Sequence, residues 1–309
     1  MWPARDFSKP RVKGRRLELR ARHVFVIQRY SASLTAAEQR EFVPFAHELI
    51  AVAFATIRPF FLSGTAVSTK ADASPVTRAD RASETAMRRL IEQRYPQHGV
   101  LGEEHGIKDG RGYRWVLDPI DGTRSFISNC FLFGTLIALE RDDGGTFRPV
   151  LGVIGHSAAG VALIGHQRST TLFANDGSQR RVKVRPCGRL EDATVLATSH
   201  WSKQEQRAPN LTRVEAIVQR AKLYRTWGDC FGYFAIATGA ADLMLDPRLQ
   251  YYDVAAIIPV VEGAGGVVTS WSGADPLAQP SLIASAGALH PLVLRLLHDA
   301  EGIPGERGN

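Results

Sequence analysis

The run Trp115-Val116-Leu117 carries the chain toward a core and stops at two carboxylates, Asp118 and Asp121, with Pro119-Ile120 between them and Gly122-Thr123 directly after. No other stretch constrains the fold as tightly. The two acids are three residues apart and Pro119 stiffens the turn between them, so both carboxylates can point to one side. Two anions this close repel unless a cation sits between them. Oxygen-only ligands favour a hard cation such as Mg²⁺. Gly122-Thr123 can open a helix and offer free backbone N–H groups to a phosphate. The same hexapeptide also reads as a polar strand exit with Asp as a turn former, and alone it does not choose between the two.

Size gives this stretch a setting. At 309 residues, 44% hydrophobic and 22% charged, the chain can form one large domain or two modest ones with an ample core. No uninterrupted apolar run reaches the length needed to cross a bilayer. Cys130, Cys187 and Cys230 are widely spaced and odd in number. That suits neither a disulfide framework nor a zinc site and predicts a reducing cytoplasm. The formal net charge of +7 lies entirely in residues 1–30, which hold nine Arg or Lys against two acids. The balanced body is not a nucleic-acid surface by charge. Residues 1–33 lack the apolar core of a secretory signal and read as a poorly ordered basic extension, with polyanion binding or targeting as the alternative.

Phe42, Phe45, Ala46, Leu49, Ile50, Ala53 and Ile57 follow helical spacing behind Thr35 and Glu38, which predicts a capped helix closed by Pro59. After a linker with Lys70 and Asp72-Ala73-Ser74, a second helix over 79–94 begins near Asp80, an acid suited to a first turn, and buries Ala82, Ala86, Leu90 and Ile91. Strands are expected at 100–102, 115–118, 131–140, 150–154, 161–165, 169–174 and 182–184, as an antiparallel-looking meander. Beyond Pro186 strands and helices alternate, with helices over 209–220, 230–238, 253–263 and 290–299. The change of pattern predicts an N-terminal α+β subdomain over 34–185 and a C-terminal α/β subdomain over 186–309, facing each other.

Five acids stand at strand ends or helix starts: Asp80, Glu103, Asp118, Asp121 and Asp253. Each alone is an ordinary cap or turn residue; together they make an oxygen-ligand set of the kind that holds two or three Mg²⁺ ions. In Gly102-Glu103-Glu104, Asp118-Pro119-Ile120-Asp121-Gly122-Thr123, Tyr252-Asp253-Val254-Ala255-Ala256 and Glu262-Gly263-Ala264-Gly265-Gly266 the sequence resembles the inositol monophosphatase family over about residues 40–300. It looks most like the histidinol-phosphate phosphatase branch, through Thr77-Arg78-Ala79-Asp80 to Glu84, Arg124-Ser125-Phe126, and Thr226-Trp227-Gly228-Asp229-Cys230.

The resemblance implies an α+β fold, the layered αβαβα sandwich, usually dimeric. It implies that Glu103, Asp118 and the Ile120 carbonyl hold one Mg²⁺, and that Asp118, Asp121 and Asp253 hold a second. Glu103 would face a third, more weakly bound ion. Thr123, oriented by Asp80, would help position the attacking water, and the amides of Gly122 and Thr123 would bind phosphate. The expected reaction is hydrolysis of a small phosphate monoester, L-histidinol phosphate in the leading reading. Inositol 1-phosphate or a nucleotide 3′-phosphate is the alternative, and a non-catalytic phosphatase-fold binding protein the remote one. Substrate choice turns on Asp229, which can face a cationic substrate or simply cap the helix that follows, and on Asp246, seven residues before Asp253 where the family places a substrate-contacting acid. His105 and His156 read as solvated loop residues, and Arg225 and Arg248 as surface residues. Gly155-His156-Ser157-Ala158 and Tyr252 depart from the family pattern, as does the basic extension.

Overall fold

The computed structural model describes residues 28–63, 67–69, 75–166, 169–199 and 211–298. Residues 1–27, the linker with Lys70 and Asp72 to Ser74, the first residues of the helix expected from 209, and Asp299 lie outside them. Helix α1 (Ala36–Ile57) begins on a capping box: the Thr35 hydroxyl accepts from the Glu38 amide, and the Glu38 carboxylate accepts from the Thr35 amide. All seven expected apolar residues are buried, with Phe54. With the turn that follows, Ala36–Phe60 is long and apolar enough, by length and composition, to cross a membrane. Here its apolar stripe packs against α2 (Arg78–Arg94) and the main sheet.

Helix α2 turns inward a face that its apolar pattern does not predict. Ala79, Asp80, Ser83, Glu84, Met87 and Ile91 are buried, so of the predicted stripe only Ile91 is. Asp80 and Glu84 can be buried because protein donors hold their carboxylates, a compensation that apolar periodicity does not register.

A two-stranded ribbon, β1 (Val67–Thr69) and β2 (Pro75–Thr77), precedes α2. The main sheet contains β3 (Gly99–Gly102), β4 (Gly106–Lys108), β5 (Tyr113–Asp121), β6 (Gly134–Asp143), β7 (Thr146–His156), β8 (Val161–His166), β9 (Ser169–Ala174) and β10 (Gln179–Val182), in the order β10-β9-β8-β7-β6-β5-β3-β4. Within this sheet, among the described residues, only β3 and β5 pair in parallel. Strand β6 starts three residues later than expected: Phe131 stays on the surface while Phe133 packs against Phe61 and Phe126. Strand β10 ends at Val182, because its register with β9 is taken up by Gln179–Val182 while the Val184 amide donates to the Ala264 carbonyl.

The second sheet has the order β12-β11-β13-β15-β14. It uses β11 (Thr194–Leu196), β12 (Leu223–Arg225), β13 (Leu243–Asp246), β14 (Gly266–Thr269) and β15 (Leu282–Ala286). Helices α4 (Leu211–Arg220), α5 (Asp229–Ala237) and α6 (Tyr251–Gly263) connect its strands, α7 (His290–His298) follows β15, and short α3 (Thr123–Ile127) follows β5.

Three apolar cores order the layers. One joins α1 and α2 to one face of the main sheet, through Phe45, Leu49, Met87, Trp115 and Leu117. The next joins the opposite face to α5 and α6 and on to the second sheet, through Val116, Ala138, Ile236, Ile258 and Met244. The third joins the outer face of the second sheet to α4 and α7, through Val195, Ile217 and Leu294. The order is αβαβα, the α+β sandwich that the family resemblance implies. Helix α6 lies so close to the main sheet that a Cβ on Gly152 would come within 2.1 Å of the Ala256 carbonyl. Its cross-strand partner is Gly165, which faces Val260 in the same way.

The segment before α1 also belongs to the body. Tyr30 and Ser31 are buried, and the Glu262 carboxylate accepts from both their amides and from the Ser31 hydroxyl. The Ala32 amide donates to the Pro149 carbonyl.

Candidate metal centre and active site

Along a regular strand, residues three apart point to opposite faces. Asp118 and Asp121 escape this because β5 carries a bulge between them. Asp118 lies opposite Leu136 and Asp121 opposite Gly134, so three steps on β5 match two on β6. The extra residue returns Asp121 to the side of Asp118. The sequence places a turn here; the strand instead runs through the acids, and Pro119, unable to donate to the ladder, falls inside the bulge. Its carbonyl accepts from the Thr135 hydroxyl at 2.8 Å.

Asp253 reaches the same point from α6. It is the third residue of that helix, and its carboxylate accepts from the Gln250 amide at 2.8 Å. Single carboxylate oxygens of Asp118, Asp121 and Asp253 all lie within 4.8 Å of one another. Glu103 stands in the β3–β4 turn, with its amide donating to the Leu117 carbonyl at 3.1 Å, and its charge acts on both Asp118 and Asp253.

The electrostatics are those of crowded anions. Burial, then the charges of Glu103, Asp121 and Asp253, push the Asp118 carboxyl well above its usual range. Burial, then Asp229 and Asp253, do the same to Asp121, against a hydrogen bond from the Cys230 amide. Asp253 is pushed up to about 7, burial leading. The buried Asp118 Oδ1 finds no hydrogen-bond donor among the described residues. A buried acceptor without a donor, facing two more carboxylates, is what a hard divalent cation satisfies. The donor set therefore fits Mg²⁺.

Gly122 turns the chain from β5 into α3 with a left-handed backbone, φ 79°. Among the described residues, the amides of Gly122 and Thr123 donate to no protein acceptor. The Thr123 hydroxyl donates to the Ile120 carbonyl at 3.2 Å. The Asp80 carboxylate accepts from the amide and hydroxyl of Thr77, which makes it the N-terminal box of α2. Burial pushes its carboxyl up to about 6.

Asp229 does not cap α5. The cap position is Gly228, with no side-chain cap bond, and Asp229 is the first helical residue, itself at φ 50°. Its carboxylate lies against Gly122, where a Cβ would stand 2.5 Å from Asp229 Oδ2, and accepts from the Ser125 hydroxyl at 2.6 Å. Asp246 is buried, and accepts from the Tyr233 hydroxyl at 2.6 Å and the Thr198 amide at 3.1 Å. His156 is not a loop residue. It is buried in β7 between Phe231 and Phe234, with Nδ1 on the Phe133 carbonyl, and burial lowers it to about 4. His105, Arg225 and Arg248 are exposed, as expected. Ser125 and the Cys230 amide escape sequence reasoning; only their place beside the acid segments hints at them.

A layered α+β sandwich with a carboxylate cluster where the main sheet meets helix α6 defines a class of phosphoric monoester hydrolases. A sequence model of the inositol monophosphatase family matches residues 38–301, and the chain belongs to that family. It is 36% identical over 246 residues to the bifunctional phosphatase IMPL2 of Arabidopsis thaliana, covering 78% of this chain and 68% of that protein. It is 37% identical to a histidinol-phosphatase of Chlorobaculum parvum, covering 71% and 82%. Among solved structures, an inositol monophosphatase from Zymomonas mobilis superposes with a TM-score of 0.71 at 34% identity, covering 86% of this chain and all of that one.

Proposed function

We propose that the chain is a Mg²⁺-dependent phosphatase of small monoesters, with L-histidinol phosphate as its substrate. The supporting observation is the placement of Asp229. A carboxylate held by Ser125 against Gly122 stands beside the candidate phosphate loop, where a substrate bearing an amine and an imidazole needs a counter-charge. The named histidinol-phosphatases among the relatives support the same choice.

Glu103, Asp118 and the Ile120 carbonyl would hold one ion; Asp118, Asp121 and Asp253 would hold a second; Glu103 would serve a third. Such ions neutralise the phosphate, lower the pKa of a bound water and stabilise the leaving oxygen. The chain's own part is positional. Gly122 and Thr123 offer amides to the phosphate oxygens, and the Thr123 hydroxyl, released from the Ile120 carbonyl, would turn to Asp80 at the start of α2 and orient the attacking water. Asp229 fixes the alcohol portion. Asp246 supports that wall from beneath, through Tyr233 and Thr198. A homodimer in a reducing cytoplasm completes the reading, consistent with three free cysteines.

Inositol 1-phosphate is the second reading, supported by relatives of that name at 27–29% identity. Phosphate release from histidinol phosphate, inositol 1-phosphate and a nucleotide 3′-phosphate, each with Mg²⁺, separates them. Histidinol phosphate should have the highest kcat/KM. Asp229→Ser should lower that value by roughly 10–100-fold, the worth of a charge-assisted hydrogen bond of about 1.5–3 kcal/mol, and spare the neutral substrates. No release from histidinol phosphate by the wild type overturns the substrate assignment.

A further inference from the structure

Glu84 is a fully buried carboxylate on α2 that takes no part in the cluster. It accepts from the Glu104 amide at 2.7 Å, the His105 amide at 3.2 Å and Arg88 Nε at 2.7 Å. Arg88, one turn along the same helix, also donates to the Gly106 carbonyl. The pair therefore grips the middle and the far end of the three-residue turn, Glu103 to His105, that joins Gly102 of β3 to its cross-strand partner Gly106 of β4. The grip is close: a Cβ on Gly102 would stand 1.9 Å from Glu84 Oε1, so the carboxylate fills the place of a side chain.

A turn with two consecutive amides aimed at one anion has few alternative conformations. On its other flank the Glu103 amide is fixed to the Leu117 carbonyl, one residue before Asp118. Glu103 is thus pinned between α2 and β5, and its carboxylate faces Asp118 and Asp253 as a consequence. We infer that Glu84, closed by Arg88, is a positioning residue for the metal centre: it sets the backbone that presents Glu103. This rests on the reading of Glu103 as a metal ligand. Partners that orient a ligand carboxylate typically govern metal affinity by about 10–100-fold when removed.

The test titrates Mn²⁺ and Mg²⁺ calorimetrically into the purified full chain as wild type, Glu84→Gln, Arg88→Gln and Glu103→Gln. Melting temperature and phosphate release against Mg²⁺ concentration are followed alongside. Glu84→Gln should bind metal roughly 10–100-fold more weakly. Its activity should return at raised Mg²⁺, with KM for the ester at saturating metal within about threefold of wild type. Arg88→Gln, on a side chain that keeps 13% exposure where Glu84 keeps none, should show the same signature more weakly and supplies the answer where Glu84→Gln does not fold. Unchanged metal affinity in a folded Glu84→Gln or Arg88→Gln protein, while Glu103→Gln binds weakly, overturns the positioning role alone. Unchanged affinity in Glu103→Gln overturns the ligand reading and the inference with it. A loss of activity that Mg²⁺ does not restore, or that falls on the ester KM, also counts against it.

Discussion

At the scale of single residues, the site is built from groups that oppose folding. Asp118 is buried beside Asp121 and Asp253, its Oδ1 without a donor among the described residues, and burial and like charge both disfavour its anion. A cation converts that repulsion into attraction. Asp118→Asn should therefore act in opposite directions on two measurements. In chelator it should raise the melting temperature above that of the wild type, because one anion has been removed. With Mg²⁺ the wild type should gain stability and the variant little, since ligand binding to the native state alone stabilises it. Its kcat/KM should fall by several kcal/mol of lost charge stabilisation, roughly 10²–10³-fold. A wild-type melting temperature indifferent to Mg²⁺ would contradict the reading.

At the scale of elements, two devices bring the acids together: a bulge in β5 and the seating of α6. The helix rests on the Gly152–Gly165 pair of β7 and β8, and Asp253 opens its first turn. Gly152→Ala pushes a methyl into the Ala256 carbonyl, and a close-packed interior yields little. Overpacking of this kind costs about 1–3 kcal/mol, and because α6 must shift, calorimetric Mg²⁺ affinity should fall as well. A variant that is destabilised but binds metal normally would show that α6 tilts without moving its N-terminus.

The first residue of α7 gives an acid limit. His290 is buried, hydrogen-bonds with Thr269 and Ser285, and is lowered by burial to about 4. The unfolded chain binds a proton near pH 6.5, so between 6.5 and about 4 it holds more protons than the native state. Stability contributed by the neutral ring is complete above 6.5 and is lost as pH falls toward 4. The slope approaches about 1.4 kcal/mol per pH unit for one such group. Chemical denaturation across that range should show it, and His290→Gln should reduce the slope by this one-group share, half-buried His98 and buried His156 still supplying theirs.

At the scale of the molecule, the N-terminal segment divides into two parts with different consequences. Residues 1–27 carry most of the excess charge; deleting them should leave phosphate release unchanged. Residues 28–33 are another matter, because Tyr30 and Ser31 supply the donors that hold Glu262 in its buried position. Deleting through residue 33 should cost at least about 1–3 kcal/mol, the penalty for a buried acceptor left without donors, measured as a lower denaturation midpoint. Equal midpoints for the two deletions would mean that Glu262 recovers its partners from water.

What the sequence determined by itself was local or repetitive. Thr35 and Glu38 fixed the start of α1 because a capping box needs only neighbours, and α1's apolar spacing named its buried face. The five acids could be gathered because residue type and spacing carry their chemistry. The shift from meander to alternation after Pro186 was legible for the same reason, since strand and helix differ in period. Tertiary structure decided what depends on partners distant in the chain. Whether Asp118 and Asp121 share a face depends on how β5 pairs with β6. The buried face of α2 depends on Glu84, whose donors come in part from the β3–β4 turn, whereas Asp80 is held by the neighbouring Thr77. Asp229 reads equally as a cap or a contact until Gly122 and Ser125, more than a hundred residues earlier, are placed against it. Local propensity acts over a turn or two of chain, whereas the burial and pairing of a charge are settled only when the layers close.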